Sequence, residues 1–331
     1  MTPTTPTAPL TSPLTRRFFG RALAGGMALA PVAAATGALP AFAAEGPRQL
    51  RPFAQRRIGK FTVTFISDGF TDLPFGNFTG QTPEETAATA AALHADRSGA
   101  LRLNFTHYLI DDGERLVMVD AGPAGGIGET GHLPENLETL GVNPDAVEAL
   151  IVTHTHFDHV SGAIAGDRRV FRNAELYVDR RDVAHFTDPA KRSAAPDFLH
   201  SSFDTAAALL RLYPQAQQVE GAHQILPGLE TVDLTGHTPG HIGVRVSDGG
   251  ESLLIVGDML FHPVLHPRST TLGIAFEADP AAAQAMREAF FPAAAEEGAL
   301  IAATHMPFPG LGRIVTDRGE FRWSPAPWAH E

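Results

Sequence analysis

Ala149-Leu150-Ile151-Val152-Thr153-His154-Thr155-His156-Phe157-Asp158-His159 is the stretch that decides how the rest of the chain is read. Its first four residues are apolar and β-favouring, as in a buried strand. Alternate side chains of an extended segment share a face, so His154 and His156 point the same way and can grip one ion. As the chain turns into a helix near Val160, Asp158 and His159 swing toward a second position. Four potential ligands within six residues make a binding loop at the carboxyl end of a strand, where α/β proteins usually carry their chemistry.

Further candidates follow other apolar runs. His237 comes after Leu229 to Leu234, within Gly236-His237-Thr238-Pro239-Gly240-His241; Asp258 follows Leu253 to Gly257; His305 follows Leu300 to Thr304. A single histidine in such a loop is ordinarily just a hydrogen-bonded residue, but the repeated pattern of strand followed by ligand argues for one site at a shared sheet edge. There is no cysteine, which removes disulfides, thiolate metal sites and cysteine nucleophiles, so any metal is held by nitrogen and oxygen.

Around these loops the apolar runs are short and β-rich: Phe61 to Ile66, Phe105 to Ile110, Leu116 to Val119, Leu176 to Val178 and Ile242 to Val246 join those already named. Asp112-Gly113 and Asp248-Gly249-Gly250 mark hairpins. Helical patterns cover Pro134 to Leu140, Arg180 to Phe186, Phe198 to Leu212, and Pro280 to Phe291, the last opened by Asp279 and bounded by Pro292. The fold expected is an α+β sandwich of two mixed β-sheets flanked by helices. No glycine-rich dinucleotide loop supports a Rossmann unit.

Residues 1–43 carry Arg16, Arg17 and Arg21 and no acid, then an apolar run from Ala22 to Ala35 and Ala41-Phe42-Ala43. This reads as an export signal of the twin-arginine type, with a periplasmic or secreted product; the apolar run is too short and broken for a stable membrane anchor. Taking 43 residues and three positive charges from 331 residues and a net charge of −12 leaves 288 residues at −15, which argues against nucleic-acid partners. Residues 44–59 read as a flexible lead-in without a core role, and 60–331 as one catalytic domain.

The pattern of His154, His156, Asp158, His159, His237, Asp258 and His305 resembles the metallo-β-lactamase superfamily over about Lys60 to Trp323. The resemblance implies its αβ/βα sandwich and two divalent metal ions, zinc first among them. It implies that His154, His156 and His237 hold one metal, that Asp158, His159 and His305 hold the other, and that Asp258 bridges them. Asp158 and Asp258 are the candidate catalytic carboxylates, acting with a metal-bridging hydroxide. Asp120 suits a carboxylate that orients a ligand imidazole from behind, and His241 and His262 are candidate outer contacts.

Within the superfamily, Phe65-Ile66-Ser67-Asp68-Gly69, the run Gly236 to His241, Gly257-Asp258 and Ala303-Thr304-His305-Met306-Pro307-Phe308-Pro309-Gly310 are similar to methyl parathion hydrolase and its lactonase relatives. That branch implies hydrolysis of apolar lactones or aryl esters, with organophosphate triesters as the alternative. A β-lactamase, a non-catalytic metal-binding protein and a two-iron oxidoreductase stand further off. The physical counterpart is the aromatic set of 21 phenylalanines against three tyrosines and two tryptophans. Phe75, Phe78, Phe186, Phe261, Phe276 and Phe308 are the candidates for an apolar mouth binding a small-molecule ester or lactone. The sequence leaves the oligomeric state open and is compatible with a homodimer.

Overall fold

The computed structural model describes residues 52–263 and 265–327. The export signal expected over 1–43 lies outside the described residues.

Fourteen strands form two seven-stranded sheets. The first contains β1 (Phe53–Ile58), β2 (Phe61–Pro74), β3 (Ala100–Asp111), β4 (Leu116–Val119), β5 (Val147–Ile151), β6 (Glu175–Asp179) and β7 (Gln217–Val219). The second contains β8 (His223–Leu226), β9 (Leu229–Asp233), β10 (Ile242–Asp248), β11 (Glu251–Ile255), β12 (Leu300–Ala302), β13 (Leu311–Asp317) and β14 (Glu320–Pro325). In both sheets the spatial order is the chain order, so each half of the chain builds its own sheet. Antiparallel pairing joins β1 through β4, while β4 to β7 run parallel and need crossovers; in the second sheet only β11 and β12 are parallel. The helices are α1 (Pro83–Ala92), α2 (Leu133–Thr139), α3 (Phe157–Val160), α4 (Arg180–Phe186), α5 (Pro189–Ala194), α6 (His200–Leu212), α7 (Leu265–Arg268) and α8 (Pro280–Glu297). None among the described residues is long and apolar enough to cross a membrane.

The two-residue alternation of strands sorts side chains into layers. Val117 and Val119 face the core between the sheets while Met118 faces out; Leu253 and Ile255 face in while Leu254 and Val256 face out. The central core unites Phe61, Phe65 and Ile151 of the first sheet with Ile242, Val244 and Leu300 of the second. Outside it, Leu137 and Leu209 of α2 and α6 cover the first sheet, and Phe291 of α8 covers the second. Each such fully buried side chain contributes about 1.5–3 kcal/mol. This helix–sheet–sheet–helix sandwich is the α+β architecture expected from the sequence.

Two expectations are corrected. The described part of the lead-in is β1, paired with β2 over its whole length and burying Ala54 and Ile58 in the central core. Ordered structure therefore starts well before Lys60, because those two residues, four apart, both find apolar partners. Pro292 does not bound its helix, which runs on to Glu297 and ends at Gly298 with φ 62°. The proline removes one backbone donor, but Phe291 and Ala294 on either side of it are buried and hold the helix together. Helix α1, missed for want of an apolar stripe, carries a legible start signal in the Thr82–Glu85 capping box and Pro83.

Candidate metal centre

The site forms where strands of both sheets end. After β4 the chain enters Asp120 at φ 57°, a left-handed conformation unusual for a side chain other than glycine and the kind of strain found at functional positions. The fully buried Asp120 carboxylate accepts hydrogen bonds from Thr153 N, Thr153 Oγ1 and His159 Nδ1, each at 2.8 Å. The Thr153 hydroxyl, donating to Asp120, in turn accepts from His154 Nδ1 at 3.2 Å. On the opposite side His305 Nδ1 donates to the Asn104 carbonyl at 2.9 Å. This network assigns the ring proton to Nδ1 in all three histidines and turns the lone pair of Nε2 inward.

Seven side chains then fall into two groups whose donor atoms lie within 4.8 Å of one another: His154, His156, His237 and Asp258, and Asp158, His159 and His305. In the first, His156 Nδ1 is 3.1 Å from both His154 Nε2 and His237 Nε2, and Asp258 Oδ2 is 3.3 Å from His237 Nε2 and 3.7 Å from His154 Nε2. In the second, Asp258 Oδ1 is 3.1 Å from His159 Nε2 and 3.2 Å from His305 Nε2, while Asp158 Oδ2 is 3.7 and 3.6 Å from the same atoms. Asp258 thus puts one oxygen into each group.

These spacings fit cations. Four ligands around a tetrahedral zinc, at 2.0–2.1 Å from it, sit about 3.3 Å apart, in the middle of the observed distances. In the Nδ1–H tautomer the Nε2 atoms of His154, His159 and His305 present lone pairs to the two groups. Of the inward-facing atoms, His159 Nε2 and Asp258 Oδ1 are buried without any hydrogen-bond partner. Converging lone pairs of this kind are costly unless a cation takes them up.

The charges agree with that arrangement. Burial keeps His154 and His237 neutral, far below the usual imidazole range, and lowers His156 to about 3. Burial also opposes charge on His159 and His305, but the carboxylates of Asp258 and Asp158 outweigh it and raise both. Burial pushes the Asp258 carboxyl up, yet His305, His159 and His154 hold it well below the carboxylate range. Asp158 moves up, because burial there outweighs its two histidines.

Two supports lie behind the ligands. His241, also fully buried, donates from Nδ1 to the Leu234 carbonyl at 3.1 Å and accepts from Asp258 N at 3.3 Å, so it positions the backbone of the shared carboxylate. A Cβ on Gly257, whose φ is +50°, would come within 2.7 Å of His241 Nε2, which explains the glycine. The second support, Asp182 of α4, escaped the sequence reading. It accepts from Thr155 N at 2.9 Å, Thr238 Oγ1 at 3.0 Å and Gly240 N at 2.6 Å, tying the loop of His154 and His156 to the loop of His237. Burial raises its carboxyl to about 6. A buried aspartate one helical turn after Asp179 carries no periodic signal; only the packing of α4 against Gly240 reveals it.

An apolar cleft opens beside the second group, lined by Phe105, Phe157, Phe198, Phe261 and Phe276 together with Asp158 and His305. Phe261 stacks on His305 with centroids 5.4 Å apart and planes at 13°. Phe198 is the large apolar side chain left exposed among the described residues, at 51%, and meets Phe276 edge-on. Phe186 packs edge-on against His156 from another side. Three more of the expected mouth residues do not line this cleft. Phe75, with Phe78, lies in the apolar cluster behind Phe261, where Leu73 and Leu103 fill the space toward the cleft. Phe308 lines a separate groove with Trp323 and Pro325, because the chain after His305 turns away from the site. His262 is almost fully buried, accepts from Leu265 N and belongs to neither group.

A family model described as the metallo-beta-lactamase superfamily matches residues 106–305, more than half of the chain. The N-acyl homoserine lactonase AiiA of Bacillus thuringiensis subsp. kurstaki is 26% identical over 125 residues, 36% of this chain and 42% of its own length. The probable metallo-hydrolase YflN of Bacillus subtilis (strain 168) is 30% identical over 122 residues, 34% and 44% respectively. The chain thus spans about two fifths of these curated relatives. Among solved structures, that of hydrolase AbOPH of the beta lactamase superfamily superposes with a TM-score of 0.79 at 24% identity, covering 86% of this chain and all of that one. The dizinc quorum-quenching lactonase AidC superposes with a TM-score of 0.78 at 21% identity over the same shares. These likenesses show the fold.

Proposed function

The chain belongs to the metallo-beta-lactamase superfamily, and from that premise we propose that it is a two-ion hydrolase of apolar lactones or aryl esters. The observation that carries the reading is the pair of donor groups sharing Asp258 at the base of a phenylalanine-lined cleft. His154, His156, His237 and one Asp258 oxygen would hold the first ion; Asp158, His159, His305 and the other oxygen would hold the second. Two divalent cations, for which zinc is the proposed identity, would supply the Lewis acidity that polarises a carbonyl and acidifies water.

The chain's own residues do the rest. Phe261, Phe105 and Phe276 bury the apolar arm of the substrate and exclude bulk water from the ester. Asp120 and Asn104 hold His159 and His305 in the ligating tautomer. Asp158, the most exposed of the seven, with its side chain at 18%, opens onto the cleft and is assigned the proton that passes to the leaving oxygen. The lactonase relatives and the apolar cleft support a lactone or aryl ester substrate. The pattern of residues 1–43 supports action in the periplasm or outside the cell.

The test is turnover of dihydrocoumarin, phenyl acetate and paraoxon by protein whose ion content has been counted. Lactone or ester hydrolysis that disappears with the ions and returns with them is expected. Two ions bound without turnover of any ester or lactone would overturn the reading, and turnover of paraoxon alone would move it to phosphotriesters.

A further inference from the structure

A second cleft, of about 370 Å3, meets the site at the ring of His156, which lines both clefts. Phe276 and Leu199 line both clefts and so form the wall between them. Phe186 forms an apolar side of the second cleft, and His185 and Lys191 supply basic groups there. The chain has only two lysines, Lys60 and Lys191, against a strong excess of acid. One of the two therefore stands in a cleft that shares a metal-group histidine.

The polar chemistry of this cleft is graded. Glu277 is almost fully buried, pairs with Arg287 through Oε1 at 2.6 Å and lies near enough to Asp258 to feel its charge. Its carboxylate disfavours an anion in that part of the cleft. Lys191 Nζ lies 3.4 Å from His185 Nδ1, so the ammonium donates there and the imidazole proton sits on Nε2. Burial first, and then Lys191, lowers the His185 pKa, which keeps that ring neutral. Asp188 is the acid acting on His185. The pair of Lys191 and His185 consequently offers N–H donors to a ligand, while the hydrocarbon between it and His156 suits methylenes.

We propose that this cleft binds the distal carboxylate of an ester's acyl arm, with Lys191 as its cationic partner, making ω-carboxylated esters a preferred substrate class. The proposal rests on the hydrolytic reading above and adds to it which end of the substrate is recognised. A lysine suits the role because its ammonium is a compact point charge on a flexible stem that adapts to arms of different length.

The experiment compares matched phenyl esters on ion-loaded protein: the mono-phenyl esters of glutarate, adipate and pimelate against phenyl pentanoate, hexanoate and heptanoate. In the wild type one carboxylated ester exceeds its neutral partner in kcat/KM. K191A should lower that ratio about tenfold, through KM; K191E should lower it further, and K191R should restore most of it. A merely structural lysine would move both members of each pair together. The proposal is overturned if K191A leaves all three ratios within twofold of wild type, or if the neutral esters lose as much as the charged ones. If the wild type cleaves none of the six, the hydrolytic reading has failed, and calorimetry with adipate decides the cleft by itself. Saturable binding weakened about tenfold in K191A upholds it, and equal or absent binding removes it.

Discussion

Replacing Asp120 by asparagine keeps the shape of a buried side chain and changes one atom from acceptor to donor. The carboxylate now accepts from Thr153 N, Thr153 Oγ1 and His159 Nδ1, all at 2.8 Å. Asparagine can keep the first of these through Oδ1, which places its amide nitrogen against Thr153 and His159. The threonine hydroxyl can rotate and accept. His159 cannot keep its proton on Nδ1 without a donor facing a donor, so the proton moves to Nε2, the atom 3.1 Å from Asp258 Oδ1 that would ligate the second ion. A hydrogen bond to a charged acceptor contributes about 1.5–3 kcal/mol, or roughly one to two powers of ten in affinity. This agrees with the 10–100-fold typical when the partner behind a metal-bound histidine is removed. Competition against a graded chelator, with ions counted per chain, should show the second ion 10–100-fold weaker in Asp120→Asn and the first within about threefold, since Thr153 still accepts from His154. Wild-type affinity for the second ion would refute the tautomer argument. Equal weakening of both ions would show that Asp120 holds the loop as a whole and does not orient one ring.

Asp258→Ala removes an oxygen from each group, so both ions should be lost together, with turnover following occupancy; one retained ion would show that Asp258 is not shared. Asp182 is raised from 3.8 to about 6, so the folded state binds the proton more tightly than the unfolded chain does. Its contribution is then greatest below pH 4 and declines as pH rises to 6, by about 3 kcal/mol at most. In metal-stripped protein, the stability of wild type relative to Asp182→Asn should fall across that window in denaturant melts; a flat difference would contradict it. Gly240→Ala puts a Cβ 2.6 Å from Asp182 N and 2.9 Å from the Asp179 side chain, so α4 must shift, costing about 1–3 kcal/mol by thermal unfolding and weakening the first ion with it. Because His159 and His305 are raised by Asp258 and Asp158, ion uptake should release protons in a weakly buffered titration, more at pH 6 than at pH 9.

Much of this was legible because ligands and strands both leave local marks. Each of the seven residues stands just past an apolar run or in the turn after it, and strand alternation alone puts His154 and His156 on one face. The hairpins at Asp112-Gly113 and Asp248-Gly249-Gly250 and helix α4 are local in the same way. β1 was missed because half its residues are polar, and Ala54 and Ile58 become core only when β2 lies beside them.

What the sequence by itself determined is therefore the set of donors, the alternation that builds two sheets, and the exclusion of thiol chemistry. What only the tertiary structure decided is which atoms face which. Asp258 places an oxygen in each group, Asp182 ties two loops that lie more than 80 positions apart in the chain, and Phe198 guards the cleft while Phe75 and Phe308 do not. Local patterns report backbone conformation and burial, which depend on near neighbours. Partners across two sheets are set by how β5, β9, β11 and β12 end at one edge, and no stretch of the chain carries that information alone.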